Sequence, residues 1–314
     1  MVILDSFPFQ SGDLDLQPLD QFGTVLTHQR TQASEVLQRV ASADVVLTNK
    51  VVLDAGILRQ CGKLKLICLL ATGTNNIDLA EASRLGITVC NVPDYSSPSV
   101  AQTAIALLLE LTQGVGRHDR LIRMGEWNKA GAFSFWDGPL VELQGKTMLV
   151  AGLGKIGTRV ARIAEAMGMQ VIGLHDQQRT GAGPWKRLEL REAFQMADVV
   201  SLHCPLTEQN RGFINDTSLK WMKPSVLIIN TSRGALVDEA AMARALHDQR
   251  IAGYATDVLS VEPPAADNPL LHAPHCILSP HYAWGTVESR RRLLDITLQN
   301  LQGFVQGRIV NRVN

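Results

Sequence analysis

The first ninety residues alternate short apolar runs with longer amphipathic segments. The apolar runs are rich in leucine and β-branched residues and cover residues 2–4, 24–26, 45–47, 66–70 and 87–89. Continuous apolar runs are typical of strands that are buried on both faces of a sheet. Because helical patterns at residues 32–43 and 78–85 lie between these runs, the sequence predicts β/α/β units and a parallel sheet.

A second series of predicted strands begins at Lys146. These strands cover residues 148–151, 170–174, 198–202, 226–230, 253–256 and 276–278. Prolines follow several of them, which supports the predicted strand ends. The tail, residues 286–304, has a helical pattern but is too short to form a domain. We therefore expect it to pack on a unit formed by other residues.

The segment between the two series has a different character. Residues 100–111 carry apolar side chains on nearly all faces of a predicted helix, which favours a position between domains or subunits. Residues 125–143 are less regular and locally dense in aromatic side chains. Two interpretations of this stretch stay open: an arm that packs on a partner, or part of the core.

Composition and charge narrow the function classes. The chain has 314 residues, which predicts about two domains, and its 46% hydrophobic and 19% charged residues exclude a disordered chain. Lys and Arg together number 30, as do Asp and Glu, so the formal net charge is zero. This balance argues against nucleic acid or an anionic membrane as partners, because both attract clustered basic charge.

The N-terminus and the cysteines indicate a compartment. The N-terminal residues MVILDSFPF lack the basic region and cleavage site of a secretory signal, and no apolar run approaches the ~20 residues of a membrane span. The five cysteines form no Cys-x-x-Cys pair. We therefore expect a cytoplasmic protein with reduced thiols, no metal site and a small-molecule ligand.

A glycine-rich turn points to one such ligand. Gly152, Gly154 and Gly157 form a Gly-x-Gly-x-x-Gly turn between a predicted strand and a predicted helix, which starts with Lys155 and Ile156. Gly152 permits the tight turn, Gly154 lets the backbone approach a pyrophosphate, and Gly157 lets helix and strand pack closely. Because the positive end of the helix dipole favours phosphates, the turn predicts a dinucleotide site.

The end of the next predicted strand bears on the choice of coenzyme. Asp176, about 20 residues beyond the glycines, can accept hydrogen bonds from an adenosine ribose and repel a 2′-phosphate, which favours NAD. His175 occupies the alternative position, and together with Arg179 it could hold a 2′-phosphate. We predict NAD as the coenzyme, with NADP not excluded.

Further polar residues follow the later strands. Arg233 and Gly234 follow one strand, Asp257 follows the next and His281 the last, with Glu262 in between. Ligands of open α/β sheets bind at the carboxyl ends of the strands. A guanidinium there suits a carboxylate or keto oxygen, and a histidine paired with a carboxylate suits general acid–base catalysis.

These motifs together carry a resemblance to a known family. They are Gly152-Leu-Gly154-Lys-Ile-Gly157, Asn230-Thr-Ser-Arg233-Gly, Asp257 with Glu262-Pro, and Pro280-His281 with Trp284. With them the chain resembles the D-isomer-specific 2-hydroxyacid dehydrogenase family over essentially its whole length. Residues 71–78, 135–137 and 141–146 look most like the glycerate dehydrogenase (hydroxypyruvate reductase) branch.

The resemblance implies a role for each of these residues. Arg233 orients the substrate's carboxylate and keto oxygen, His281 exchanges a proton with that oxygen, and Glu262 supports the histidine. Asp257 engages the nicotinamide carboxamide. The substrate carboxylate is held by the backbone of Thr72, Gly73, Thr74 and Asn75. The further implied coenzyme contacts are Cys204, Pro205, Thr207, Thr231, Ser232 and Ala283, together with Arg233 and His281.

The resemblance also implies the architecture and the reaction. The fold class is α/β with two Rossmann-like parallel-sheet domains: a discontinuous flavodoxin-like substrate domain, residues 1–97 plus 285–314, and a dinucleotide-binding domain, residues 98–284. The protein is then an oxidoreductase that reduces a short 2-keto acid, hydroxypyruvate or glyoxylate, to the D-2-hydroxy acid.

Two alternative functions stay open, and the sequence also predicts an oligomeric state. The alternatives are a relative that acts on another substrate, such as formate or phosphite, and a dinucleotide-sensing scaffold similar to the corepressors that share this fold. The apolar helix at residues 100–111 and the aromatic stretch that follows it favour a homodimer, because both would be liabilities on the surface of a monomer.

Overall fold

The computed structural model describes residues 1–9, 12–175 and 183–314. The chain divides into two compact units. The first unit comprises Met1–Ser96 and Trp284–Asn314, and the second unit comprises Ser97–Ala283. Each unit is built on its own β-sheet.

Strands and helices alternate along most of the chain. Within the described ranges the strands are β1 (Val2–Ile3), β2 (Leu26–Thr27), β3 (Val45–Thr48), β4 (Leu66–Leu69), β5 (Thr88–Cys90), β6 (Thr147–Ala151), β7 (Gln170–Leu174), β8 (Lys186–Leu188), β9 (Val199–Leu202), β10 (Leu227–Asn230), β11 (Gly253–Thr256) and β12 (Cys276–Leu278). The α-helices of the same ranges are α1 (Val36–Val40), α2 (Ala55–Leu58), α3 (Leu79–Arg84), α4 (Ser97–Gln113), α5 (Val115–Arg123), α6 (Glu126–Ala130), α7 (Lys155–Ala166), α8 (Leu190–Met196), α9 (Asp216–Leu219), α10 (Glu239–His247) and α11 (Val287–Val305).

Both sheets are parallel, and in each the strand order reverses once. In the first unit the order is β2-β1-β3-β4-β5, the flavodoxin-like arrangement, with its reversal between β1 and β3. In the second unit the described strands follow the order β12-β11-β10-β9-β6-β7-β8, the Rossmann arrangement, with its reversal between β6 and β9. The predicted fold class, α/β with two parallel-sheet domains, is confirmed.

Most apolar runs of the sequence form the interiors of the two sheets, but the run at residues 24–26 does not: β2 is an edge strand whose two residues are exposed. Every residue of β4 in the first unit, and of β9 and β10 in the second, is buried. Each large apolar side chain moved from water into such an interior contributes about 1.5–3 kcal/mol. The central strands therefore give a stable frame to the loops at their carboxyl ends.

Capping residues set the ends of two predicted helices. α3 begins after Asp78, whose carboxylate accepts a hydrogen bond from the Glu81 backbone at 2.9 Å, and it ends before Gly86, which has a φ of 72°. α11 begins after Thr286, whose hydroxyl accepts from the Ser289 backbone at 3.2 Å. The buried leucines of α11 pack into the core of the first unit, as expected of the helical tail.

No helix in the described ranges has the length and apolar character that crossing a membrane requires.

β8 and α1 are examples of elements that differ from the sequence pattern. β8 carries Lys186 and Arg187 and has no apolar run, so the sequence does not predict it; it forms because its backbone pairs with β7. α1 is shorter than the helical pattern at residues 32–43, since only its five residues form an α-helix.

The aromatic stretch at residues 125–143 is more regular and more exposed than the sequence indicates. α6 forms within it, flanked by Gly125 and Gly131 with φ values of 83° and 59°. The side chain of Phe133 is 97% exposed and that of Trp136 is 62% exposed. The interpretation of this stretch as part of the core is therefore wrong.

Candidate active site

The glycine-rich turn joins β6 to α7 in the second unit. Gly152 has a φ of 104°, and a Cβ there would lie 2.5 Å from the backbone nitrogen of Cys204. A Cβ on Gly157 would lie 2.0 Å from the carbonyl oxygen of Gly152. Both positions therefore need glycine for the chain's own packing. A Cβ on Gly154 would meet nothing within 4 Å, so this glycine borders open space.

The open space beside Gly154 fits a phosphate group. Gly154 is the N-cap residue of α7 and has no side chain that could accept from the first amides of the helix. Those amides and the helix dipole favour an anion at this end. Lys155 is exposed and Ile156 half-buried in the first turn. The residues present thus fit the pyrophosphate of a dinucleotide.

The strand ends beside this turn carry polar atoms that lack partners. β9 lies next to β6 and ends before His203, and β10 lies next to β9 and ends before Thr231. His203 Nδ1 and Thr231 Oγ1 are buried and have no hydrogen-bond partner among the described residues. The Ser232 hydroxyl donates to the carbonyl of Cys204 at 2.6 Å and so ties the two strand ends together. This edge is suited to a polar ligand.

His203 is a residue that the sequence analysis does not place among the site residues. Burial lowers its pKa to about 4, so the imidazole is neutral near pH 7. Its Nε2 lies 2.8 Å from the Ser201 hydroxyl. Downstream of His203, Pro205 is exposed. The Thr207 backbone donates to the side chain of Asn210 at 2.7 Å, within the same turn.

Of the residues predicted to select the coenzyme, only His175 belongs to the described part of the chain. The His175 backbone follows β7 and donates to the carbonyl of Leu188 in β8 at 2.9 Å. Asp176 and Arg179 lie outside the described residues. Of the residues weighed for coenzyme choice, the described structure therefore places His175 alone.

His281 and Glu262 are brought together after β12 and β11. His281 Nδ1 lies 2.6 Å from Glu262 Oε2. The other carboxylate oxygen, Glu262 Oε1, accepts from the Leu259 backbone at 2.9 Å. Both side chains are partly exposed, so a ligand can reach the pair. Because Nδ1 is engaged, Nε2 is the ring nitrogen that remains for an incoming group.

Asp257 lies beside this pair and holds the chain that carries His281. Its Oδ1 accepts from the Ser279 hydroxyl at 2.7 Å and from the Tyr282 backbone at 3.0 Å. Its Oδ2 accepts from the Ala283 backbone at 2.9 Å. Burial raises the pKa of this carboxyl, and the bond from Ser279 is the largest of the contacts that offset the rise. Asp257 therefore anchors both sides of His281, which has a φ of 51°.

Arg233 follows β10 and is exposed. One guanidinium nitrogen donates to the carbonyl of Ser232 at 2.8 Å, and the Asn230 side chain donates to the carbonyl of Arg233 at 2.9 Å. A Cβ on Gly234 would lie 2.0 Å from the carbonyl carbon of Leu259. The glycine thus lets the backbone beside Arg233 pack directly on the loop that carries the carboxylate partner of His281.

Glu239 is a second residue that the sequence analysis does not include. It opens α10, and its two carboxylate oxygens accept from the Ser260 backbone at 2.6 Å and from the Asn268 side chain at 2.7 Å. These bonds hold the loop that carries Glu262. An acid in the first turn of a helix is common, so no sequence signal marks this role.

The predicted substrate loop, Thr72 to Asn75, follows β4 in the first unit. The Thr72 hydroxyl donates to the carbonyl of Val92 at 2.8 Å, and the Asn91 side chain donates to the carbonyl of Thr72 at 2.7 Å. The backbone N–H groups of Gly73, Thr74 and Asn75 form no hydrogen bond within the described part of the chain. Oriented amides of this kind can bind an anion.

Comparisons with known proteins agree on one family. Residues 105–283 match the family model of the D-isomer specific 2-hydroxyacid dehydrogenase NAD binding domain. A hydroxypyruvate reductase of Blautia hydrogenotrophica is 40% identical over 320 residues, which cover 100% of this chain and 99% of that protein. A glycerate dehydrogenase of Methylorubrum extorquens is 37% identical over 281 residues, covering 89% of this chain and 88% of that protein. A solved NADPH-dependent glyoxylate/hydroxypyruvate reductase of Sinorhizobium meliloti, in complex with citrate, has a TM-score of 0.84 at 27% identity and covers 99% of this chain and 97% of its own.

Proposed function

This chain belongs to the D-isomer specific 2-hydroxyacid dehydrogenase family, and we propose that it reduces hydroxypyruvate to D-glycerate or glyoxylate to glycolate. The observation that carries the proposal is the 2.6 Å contact between His281 Nδ1 and Glu262 Oε2, at the sheet edge that also bears Arg233. The names of two relatives, a hydroxypyruvate reductase and a glycerate dehydrogenase, support the substrate class.

The proton for the reaction comes from His281. When bound, the nicotinamide coenzyme supplies the hydride that reduces C2 of the keto acid. Protonated His281 would donate from Nε2 to the carbonyl oxygen of the substrate, which becomes the hydroxyl group of the product. The Glu262 carboxylate on Nδ1 keeps the ring oriented, with Nε2 directed to the substrate. Oxidation of the hydroxy acid returns the proton to the same nitrogen.

Arg233 and the loop of the first unit bind the substrate's charges. The guanidinium of Arg233 orients the carboxylate and polarises the keto oxygen, for which its planar set of donors is suited. The amides of Gly73, Thr74 and Asn75, with Thr72 held by Val92, bind the carboxylate. We accordingly propose that the predicted substrate domain, residues 1–97 plus 285–314, supplies this loop, while Arg233 belongs to the predicted domain of residues 98–284.

Coenzyme binding is assigned to the second unit, the predicted domain of residues 98–284. The open space at Gly154 would receive the pyrophosphate, and Asp257, which already accepts three hydrogen bonds, would also engage the carboxamide. The further contacts proposed at the strand ends are Gly152, Lys155, Ile156, Gly157, His175, Cys204, Pro205, Thr207, Thr231, Ser232, Arg233, His281 and Ala283.

A substrate and coenzyme panel tests the proposed function. We propose a modest preference for NAD(H), because the carboxylate of Asp176 disfavours a 2′-phosphate; the NADPH-dependent neighbour and the basic His175 are arguments for the other choice. Initial rates with hydroxypyruvate, glyoxylate and pyruvate are measured with each coenzyme. We expect hydroxypyruvate or glyoxylate to give the highest kcat/KM, and the ratio of NADH to NADPH to exceed one.

The panel also separates the alternatives. A ratio below one overturns the choice of NAD(H), and an unchanged ratio in Asp176→Ala shows that this carboxylate does not face the ribose. Preference for pyruvate or another acid overturns the substrate assignment. Absence of turnover with every pair refutes the proposed reaction and leaves formate or phosphite oxidation, or a dinucleotide-sensing scaffold, to be tested.

A pair of glycine variants tests the assigned pyrophosphate site. In Gly154→Ala the new methyl group enters open space, so we expect the melting temperature to stay within about 2 °C of wild type while the Kd for NADH rises about tenfold or more. In Gly157→Ala the methyl group meets the carbonyl of Gly152, so we expect a melting temperature lower by about 3 °C or more. Unchanged NADH affinity in Gly154→Ala, measured by fluorescence titration, would contradict the assignment.

We also propose that the protein is a homodimer. Large apolar side chains are exposed along α5, α6 and the following loop: Val115, Ile122, Met124, Trp127, Phe133, Trp136 and Leu140. An apolar patch of this kind is uncommon on a monomer and typical of an interface. Sedimentation equilibrium is expected to give twice the 34.3 kDa chain mass, and the double variant Phe133→Ser, Trp136→Ser is expected to shift it towards the monomer. A wild-type protein that sediments as a monomer at micromolar concentration would contradict this.

A cytoplasmic location is proposed from the thiols. The five cysteines are free, three of them are buried, and burial raises the pKa of Cys90 to about 11 and that of Cys276 to about 12. Protonated, unpaired thiols of this kind suit a reducing compartment.

A further inference from the structure

A buried carboxylate of the first unit takes no part in the chemistry proposed above. Asp5 follows β1 and is buried. Its Oδ1 accepts from the backbone of Asn49 at 2.7 Å, and its Oδ2 accepts from the backbone of Lys50 at 2.6 Å. Both donors lie directly after β3, the neighbour of β1 at the reversal of strand order. Ligands of open α/β sheets bind at this reversal, so Asp5 fixes the backbone at a functional edge.

Asn49 passes this constraint to the amino end of the substrate loop. Its side chain donates to the carbonyl of Leu70 at 2.5 Å, and the Leu70 backbone donates to the carbonyl of Thr48 at 2.8 Å. Leu70 stands two residues before Thr72 in the chain. The start of the loop is therefore tied to the segment whose amides Asp5 holds.

The same segment also holds the carboxyl end of the loop. The Asn76 side chain donates to the carbonyl of Val51 at 3.0 Å. The Leu53 backbone donates to the carbonyl of Asn76 at 2.9 Å. Residues 49–53 therefore contact both ends of the loop, and a shift of this segment moves the loop as a whole.

The direction of the loop amides decides how well an anion binds. The N–H groups of Gly73, Thr74 and Asn75 have no acceptor within the described residues, so the loop's own contacts do not orient them. An amide binds a carboxylate less well as the distance and angle of the hydrogen bond depart from their optimum, so a displaced loop has a lower affinity for the anion. A buried carboxylate is also costly to keep unless its oxygens are hydrogen-bonded, as those of Asp5 are.

We propose that Asp5 is a positioning residue for substrate binding, which acts through Asn49 and its neighbours to hold both ends of the 72–75 loop. The proposal rests on the proposed function, because it takes this loop as the site of the substrate carboxylate. Asp5 itself does not touch the substrate. Asp5 therefore affects the affinity for the substrate carboxylate and leaves the rate of the chemical step unchanged.

The test compares Asp5→Asn with Asp44→Asn. Asparagine keeps the size of Asp5 but replaces one acceptor by a donor, so one of the two amides loses its partner. We expect the KM for hydroxypyruvate to rise about tenfold, with kcat and the KM for NADH within about twofold of wild type. Asp44 is exposed at the opposite end of β3, where it pairs with Lys65 at 3.5 Å, and its variant is expected to match wild type.

Oxalate provides a readout that does not depend on turnover. Its Kd for the NADH-saturated protein, measured by calorimetry, should rise about tenfold in Asp5→Asn and also in Asn49→Ala, which removes only the side-chain link to Leu70. The double variant should lose less than the product of the two single effects, because both lie on one chain of contacts. Asn49→Ala keeps the proposal testable if Asp5→Asn does not fold.

The outcomes separate this proposal from the proposed function. Unchanged KM and oxalate Kd in the folded variants, or a lower kcat at unchanged KM, overturn the role of Asp5, since a loss of folded enzyme lowers kcat alone. A wild-type protein that binds oxalate but reduces no 2-keto acid overturns the proposed function, while the effect of Asp5 on oxalate affinity still decides the present proposal.

Discussion

The His281→Ala variant is expected to reduce hydroxypyruvate with a kcat lower by about 10²-fold or more. The imidazole is the group placed to give a proton to the keto oxygen, and an alanine leaves only water for that transfer. The Kd for NADH should stay within about threefold of wild type, because the glycine-rich turn that holds the pyrophosphate is untouched. Stopped-flow or steady-state rates and a fluorescence titration of NADH measure the two quantities.

A matched histidine gives the control for this variant. His247 lies in the last turn of α10 and is exposed, so His247→Gln is expected to keep wild-type kinetics. Near-wild-type turnover by His281→Ala would remove the histidine from the mechanism. A large loss of NADH affinity with little change in kcat would instead make His281 a coenzyme-binding residue.

The Arg233→Ala variant is expected to lose about 10²–10³-fold in kcat/KM for hydroxypyruvate. The guanidinium is expected to bind the carboxylate in the ground state and the developing alkoxide in the transition state, so its removal should raise KM and lower kcat together. Arg233→Lys keeps the charge but lacks the planar set of donors, one of which already binds the carbonyl of Ser232 at 2.8 Å. We expect it to show both changes in weaker form.

An arginine elsewhere in the second unit separates this effect from a general loss of charge. Arg244 pairs with Asp216 at 2.7 Å on the surface, and such pairs contribute little to stability. Arg244→Ala is therefore expected to leave kcat/KM unchanged. Unaltered kinetics of Arg233→Ala on hydroxypyruvate would exclude Arg233 from the substrate site.

The strands of the central sheets could be predicted from the sequence because burial on both faces leaves a local trace. Every position in β4, β9 and β10 is buried, so each strand is a largely apolar run; the polar exceptions are Ser201 in β9 and Asn230 at the end of β10. The start of α3 left a local trace as well, since Asp78 caps its own helix. The glycine-rich turn was predictable for the same reason. Gly152 has a positive φ, and a side chain at Gly157 would collide with the carbonyl of Gly152, so both needs for glycine arise within one short segment.

The sequence by itself thus determined the fold class and the residue types at the strand ends, while the tertiary structure decided which of those residues meet. β8 forms through backbone pairing with β7, and its own charged residues predict no strand. The contacts of Glu262 with His281, of Gly234 with Leu259 and of Asp5 with Asn49 join segments that are distant in the chain. Such contacts form only when the strands assemble into a sheet. They leave no periodic pattern in the sequence, because each depends on where two separate loops are placed and not on the conformational preference of either loop.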